Sequence, residues 1–288
     1  MSAEARRILV VGASAGIGAA LVQVLAAEGH RVFACARRLD RLREVTDDDR
    51  LAASTRCDVG EEADVRALVA WLGARTDALD AAIQCAGAFG PIGPFETTDS
   101  AAWLATLRAN VFDTYLLAKH ALPLLERGRR PRLLTFSGGG AFGTFPRYSA
   151  YATSKAAVVR LTECLADELR ERGVAVNAVA PGMVATEIHE ATLRAGAGLA
   201  GSTHFEHTRK VLEEGRGVPM DVPVDCVRFL LSEAADGLTG KTIAANFDPW
   251  REDRFRARLK EIAASDVYTM RRINPAQLGD DPLRERLS

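Results

Sequence analysis

Tyr151 and Lys155, in the run Tyr151-Ala-Thr-Ser-Lys155, are the side chains best suited to move a proton. Residues four apart on a helix share a face, so the phenol and the ammonium can project into one site. A free phenol ionises near pH ~10, and an adjacent cation favours the phenolate, bringing it toward useful acid/base range. Far upstream, Gly12-Ala-Ser14-Ala15-Gly16-Ile17-Gly18 has the spacing of a turn that holds a dinucleotide pyrophosphate against a helix N-terminus. A phosphate grip and a poised phenol together point to nicotinamide-dependent ketone/alcohol chemistry.

The elements around these residues alternate between strand and helix, as parallel βαβ units require. Ile8-Leu-Val-Val11 reads as a buried strand, and the glycine turn opens a helix that runs to about Ala27. Further strands are expected at Val32–Cys35, within Ser54–Val59, and at Leu79–Gln84, Arg132–Ser137, Val174–Val179 and Thr242–Ala245. Helices are expected near Ala63–Leu72, Ala101–Leu125, Tyr151–Arg172 and Val224–Leu231, with Ser149 capping the one that Tyr151 opens. The pattern predicts a single doubly wound α/β domain of Rossmann type over residues 1–249, with a parallel sheet between two helical layers. Residues 250–288 read as a charged, helical extension whose polar end frays.

The strand ends carry the cofactor signals, because open α/β sheets bind ligands at their C-terminal edge. After the second strand the chain reads Cys35-Ala-Arg37-Arg38, with no carboxylate to accept bonds from the ribose hydroxyls. Arg37 and Arg38 suit a 2′-phosphate, which favours NADP(H) over NAD(H); the plainer alternative is a solvated charge pair opening a helix. Asp58 and Val59 could cap the adenine with a carboxylate and a backbone amide. Cys85-Ala86-Gly87 lets backbone approach the adenosine ribose closely.

With these motifs in order, the chain resembles the short-chain dehydrogenase/reductase family from about Ile8 to Ala245. The resemblance extends to Asn110 and to Asn177-Ala-Val-Ala-Pro181-Gly182-Met-Val184-Ala-Thr186. It implies that Tyr151 exchanges a proton with the substrate oxygen. Lys155 would lower the Tyr151 pKa and bind the nicotinamide ribose. Asn110 would hold a water that links Lys155 to solvent, and Pro181, Gly182, Val184 and Thr186 would pack around the nicotinamide. It also implies a homodimer or homotetramer built on the helices around Thr106–Leu125 and Ala152–Arg172.

Two departures from the family pattern stand out. Gln84-Cys85-Ala86-Gly87 replaces the usual Asn-Asn-Ala-Gly, which removes amide side chains that pin neighbouring strands. The family's serine, thirteen positions before the tyrosine, is Gly138 here. Ser137 is adjacent and is the substitute considered for contacting substrate, although strand alternation points it to the opposite face. Losing one positioned donor to a developing oxyanion typically costs about 10²–10³ in rate.

Composition limits the other possibilities. The 288 residues are 48% hydrophobic and 26% charged with a net charge of −1, which offers no electrostatic case for nucleic acid or a membrane surface. Five scattered cysteines without a CxxC pair suit a reducing compartment, and with no signal-like segment the expectation is a cytoplasmic protein. His204 and His207 lack a third ligand at a recognised spacing, so no metal is expected, and a substrate contact is the better functional reading of the pair. Residues 187–218 are expected to form the substrate lid; their mixed polarity suggests a polar, hydroxylated or carboxylated substrate. An NADP(H)-dependent reductase is the main reading. The alternatives are a low-turnover nucleotide-binding scaffold and an epimerase or dehydratase on the same site.

Overall fold

The computed structural model describes residues 4–46 and 52–272. Seven parallel strands form one sheet in the order β3-β2-β1-β4-β5-β6-β7. They are β1 (Arg7–Val11), β2 (Arg31–Ala36), β3 (Ala52–Arg56), β4 (Ala81–Gln84), β5 (Arg132–Phe136), β6 (Ala175–Ala180) and β7 (Thr242–Ala244). The helices that return the chain are α1 (Gly16–Ala27), α2 (Leu39–Val45), α3 (Glu62–Gly73), α4 (Ser100–Leu107), α5 (Asp113–Leu125), α6 (Ser149–Glu168) and α9 (Asp221–Leu231). Between β6 and α9 the lid folds as α7 (Glu190–Ala200) and α8 (Ser202–Glu213). The order reverses between β1 and β4, the kind of switch point at which such sheets open a crevice.

Both faces of the sheet are covered, so the strands read as continuous apolar runs. Ile8, Val10, Val32, Ile83 and Leu134 pack against Leu21 and Leu25 of α1 and Val227 and Leu230 of α9. Leu9, Val11, Phe33, Ala82 and Leu133 pack on the opposite side against Leu68 of α3 and Leu117 and Leu124 of α5. Beyond β7, α10 (Asp253–Arg256) and α11 (Leu259–Ala264) follow, and Trp250 and Phe255 join the first of these cores. The polar stretch expected to fray falls largely in 273–288, outside the described residues. No helix among the described residues is long and apolar enough to cross a membrane.

Two local expectations change. The helix expected over Ala101–Leu125 is α4 and α5 joined by one π-helical turn, Arg108–Phe112. Ser149 is the first residue of α6 rather than its cap, and its hydroxyl accepts from Trp103 Nε1 at 3.1 Å. The cap position is Tyr148, which makes no side-chain capping bond.

Candidate active site

A cavity of about 1090 Å³ runs along the C-terminal edge of the sheet. Its floor begins at the glycine turn, where three close approaches explain the residue choice. A Cβ on Gly12, whose φ is +77°, would stand 2.5 Å from the Ala86 backbone nitrogen, closing the gap between β1 and β4. One on Gly18 would stand 2.3 Å from the Gly12 carbonyl oxygen, so only glycine lets α1 start this near the sheet. Gly16, at φ +55°, faces Thr186. Ser14, Ala15 and Ile17 complete the lining, and α1 begins at Gly16 with Ala15 at its cap position and no side-chain cap. An anion is thus offered a bare helix N-terminus.

Every other cofactor residue expected from the sequence borders the same cavity: Arg37, Arg38, Asp58, Val59, Cys85, Ala86, Gly87, Pro181, Gly182, Val184 and Thr186. Arg37 is exposed and has no ion-pair partner among the described residues. Arg38 instead donates to Glu187 at 2.9 Å, and Arg41 pairs with the same carboxylate. Asp58 accepts from the Gly60 amide at 3.2 Å, while its own amide donates to Asp64. Burial pushes the Cys85 thiol well above its usual range, so it is an inert packing group. Gln84, which stands where the family has asparagine, is buried with neither end of its amide bonded.

Tyr151 and Lys155 both line the cavity, one turn apart on α6. The Tyr151 hydroxyl has no hydrogen-bond partner among the described residues. Lys155 Nζ donates to the Phe136 carbonyl at 2.9 Å and lies 5.7 Å from the centroid of the Tyr151 ring. The expected lowering of the phenol pKa is not what the structure gives. Burial pushes Tyr151 up and Lys155 down, the latter to about 8. Both groups lose water on burial, and the ammonium bonds to backbone rather than to the phenol.

Asn110 sits behind the wall, in the π-turn. Its amide is fully engaged: Oδ1 accepts from the Ala88 amide at 2.8 Å, and Nδ2 donates to the Ala88 carbonyl at 2.9 Å and to Ser154 Oγ at 2.7 Å. A Cβ on Gly87 would meet both Asn110 Oδ1, at 3.1 Å, and Lys155 Nζ, at 3.5 Å, so the three share one corner. Ser137 lies in the cavity wall, but its Oγ is buried and unbonded. A Cβ on Gly138 would lie 2.3 Å from the Tyr151 hydroxyl oxygen. The phenol therefore occupies the space that a side chain at 138 would take.

A family model described as short chain dehydrogenase matches residues 6–196. The chain belongs to the short-chain dehydrogenase/reductase family. Among its relatives, the 2,5-dichloro-2,5-cyclohexadiene-1,4-diol dehydrogenase of Sphingobium indicum is 32% identical over 245 residues, covering 84% of this chain and 95% of the relative. A crystal structure of an actinorhodin polyketide ketoreductase variant with NADPH superposes with a TM-score of 0.74 at 27% identity, covering 85% of this chain and 97% of the other. A Pseudomonas aeruginosa RhlG/NADP complex gives a TM-score of 0.73 at 26% identity, covering 84% and 95%. The protein is an NAD(P)-dependent oxidoreductase of this family.

Phe89 and Phe145 of this short-chain dehydrogenase/reductase escape sequence reading, whereas Ile188, His189, Ala191 and His204 fall in the lid expected over 187–218. Phe89 packs edge-on against Tyr151 with centroids 4.6 Å apart, and Phe145, Ile188, Ala191, His189 and His204 line the same end of the cavity. His189 is pushed down to about 4, first by burial and then by His204 and His207, and burial lowers His204 too, so the site favours the uncharged form of both rings. These residues come from three separate segments, and only the tertiary fold unites them. Asp113, at the other end, gives one sequence signal: a single carboxylate in the apolar run Val111-Phe-Asp113-Thr-Tyr-Leu-Leu.

Proposed function

We propose that this protein interconverts a ketone and a secondary alcohol, prefers NADP(H) to NAD(H), and uses Tyr151 as the group that exchanges the proton. The observation that carries the reading is the unpartnered Tyr151 hydroxyl on a cavity that also holds the glycine turn and exposed Arg37. The glycine cradle fits a dinucleotide, since side chains at Gly12 and Gly18 would close it. When bound, the reduced nicotinamide supplies the hydride. Tyr151 then gives its proton to the carbonyl oxygen. Lys155 offsets the phenolate left behind, and Asn110 keeps the Gly87–Ala88 backbone against Lys155. Arg37 would bind a 2′-phosphate through charge-assisted bonds.

The lining at the Tyr151 end favours a flat, largely apolar cyclic carbonyl compound over the polar one the lid sequence suggests. Phe89, Phe145 and Ile188 supply apolar surface, and His189 and His204, whose burial disfavours the charged ring, add ring faces. Relatives named for a polyketide ketoreductase and a cyclohexadienediol dehydrogenase agree in chemical class.

The test is consumption of NADPH against a panel of cyclic ketones, with binding measured separately. Tyr151→Phe should abolish turnover and leave NADPH affinity within about threefold, because the lost hydroxyl serves the chemical step. Arg37→Ala should weaken NADPH by at least about tenfold and leave NADH nearly unchanged. Tight NADPH binding without turnover of any ketone would favour the scaffold reading, for which Gly138 is the motivating feature. Equal loss of both nucleotides in Arg37→Ala would reject the NADP(H) preference.

A further inference from the structure

Arg147 holds a left-handed backbone that its residue type resists. Its φ is +70°, a conformation that glycine takes freely and that a side chain with a Cβ enters only at a cost. It stands just before α6 and upstream of Tyr151, outside the cavity lining. An outlier of this kind persists where the surrounding bonds over-determine it, and it commonly marks a functional position. Glycine would relieve the strain but would carry no guanidinium.

The bonds around it run in three directions. The Arg147 carbonyl accepts from the Gly93 amide at 2.9 Å, in the loop after β4 that also carries Phe89. The guanidinium reaches across to the lid, where Nη1 donates to the carbonyls of Gly198 at 2.8 Å and Leu199 at 3.2 Å. Those carbonyls belong to the last turn of α7, beyond a break at Gly196 (φ +76°, ψ 164°), where no helical donor meets them. The next residue, Tyr148, is fully buried, and its hydroxyl shares a 2.9 Å hydrogen bond with Oγ1 of equally buried Thr192 in α7. The Tyr148 ring stacks on Phe145 at 4.3 Å and meets Phe89 and His204 edge-on. Tyr148, Tyr151, Phe89 and Ala200 form an apolar cluster of their own, separate from the two cores on the sheet. Lid and helix α6 thus meet on two consecutive residues. In extended chain consecutive side chains point apart, and the left-handed turn at Arg147 brings both onto α7.

We propose that Arg147 is a positioning residue that docks the lid onto the start of α6 and so closes the Tyr151 end of the cavity. The inference rests on the reading of Tyr151 as the proton donor and of the lid as the cover of its substrate. Ile188, His189, Ala191 and His204 reach the cavity from the lid, so the seat of the lid decides where they meet a carbonyl compound. Tyr148 places the near half of α7 through Thr192, and Arg147 places the far half through Gly198 and Leu199. That far half lies between Gly196 and Gly201, both at positive φ, and its own backbone fixes it poorly. A Cβ on Gly201 would stand 3.4 Å from Arg147 Cδ, so the arginine stem packs along the same turn that its guanidinium holds.

The test joins hydrogen exchange on the full-length protein to steady-state kinetics with NADPH and 1-tetralone, a flat bicyclic ketone, as the probe. Arg147→Gly removes the guanidinium and the strain together. Its urea midpoint should stay close to that of wild type, because relief of the backbone offsets the freer unfolded chain. Amides of 191–213 should nonetheless exchange at least about tenfold faster, with those of α6 unchanged. KM for 1-tetralone should rise at least about fivefold while kcat stays within about twofold, the pattern of lost uniform binding. A merely structural arginine would move neither the lid amides nor KM at constant stability. Arg147→Lys keeps the strain and offers one ammonium in place of the planar fork, so its lid exchange should fall between wild type and Arg147→Gly. Tyr148→Phe keeps the ring stack and loses only the bond to Thr192; it should loosen the same segment, and it serves if Arg147→Gly does not fold. Lid exchange and KM both unchanged in Arg147→Gly would overturn the inference. A lid freed in Arg147→Gly, beside a wild type that turns over no ketone, would keep the anchor and overturn the reading of Tyr151 instead.

Discussion

The Tyr151 phenol and Gly138 exclude one another's alternatives. The position that holds a serine in the family pattern has no side chain here, and the phenol fills the space, with a would-be Cβ only 2.3 Å from its oxygen. Adding even a methyl should push the ring off its place against Phe89. Gly138→Ala is therefore expected to lower kcat at least about tenfold with little change in NADPH affinity, since a misplaced proton donor is felt in the chemical step. Ser137→Ala should do the reverse of what a catalytic serine would show. Its hydroxyl is buried and unbonded, so its removal should leave kcat within about twofold and stability unchanged or slightly improved. Steady-state kinetics with thermal melts on both variants check the pair. A large kcat loss in Ser137→Ala beside a silent Gly138→Ala would show that the serine hydroxyl turns toward substrate.

The elements that build the site depend on backbone approach more than on side chains. Gly12 combines a φ of +77° with a Cβ position overlapping the backbone of Ala86, so neither conformation nor space admits a side chain. Gly12→Ala should cost about 2–4 kcal/mol, from left-handed backbone strain and overpacking together, read by urea unfolding. Gly29→Ala provides the contrast: φ is +83° but the added methyl meets nothing within 4 Å, so its cost should be smaller. Such turns were legible in the sequence, because glycine spacing after an apolar strand has few other uses, and the strands were legible because both sheet faces are buried. The π-turn at Arg108–Phe112 was not. Its residues carry the same apolar period as their neighbours, and the extra residue in the turn is favoured by tertiary bonds from Asn110 to Ala88 and Ser154. The Ser149 cap failed for a related reason: Trp103 claims its hydroxyl. Phe89 and Phe145 at the aromatic end of the cavity were hidden too, since they lie far apart in the chain, outside the expected lid, and have no shared period.

Across the whole molecule the two edges of the sheet have opposite electrostatic characters. At the C-terminal edge, Tyr151 and Arg37 have no side-chain partner among the described residues, and Asp113 Oδ1 is buried without a hydrogen bond. At the N-terminal edge, Asp80 is fully buried yet saturated, accepting from the Arg7 amide at 2.8 Å, from Arg7 Nε at 3.1 Å, from Arg7 Nη2 at 3.0 Å and from the Arg129 amide at 2.6 Å. That carboxylate joins β1, the start of β4 and the loop before β5. Asp80→Ala should therefore cost about 3 kcal/mol or more, because four donors lose a buried partner, while KM for nucleotide and for substrate stays within about twofold. The pH dependence separates the two edges. Burial alone would raise Asp80, but the bonds from Arg7 and Arg129 outweigh it and hold the carboxyl below its ordinary value of 3.8. Between the folded and unfolded values the unfolded chain binds more protons, so the Asp80 contribution is complete above pH 3.8 and is lost on acidification below it. Asp113 has the opposite sign: the folded protein holds its proton from 3.8 up to about 7, so its effect is to reduce stability as pH climbs through that window. Unfolding free energies taken across pH should then show the wild-type advantage over Asp80→Ala shrinking only in acid. Asp113→Asn should gain on wild type between 3.8 and about 7. If the Asp113→Asn difference were flat across that window, Asp113 would be ionised throughout. The C-terminal edge would then carry no reserve of titratable charge.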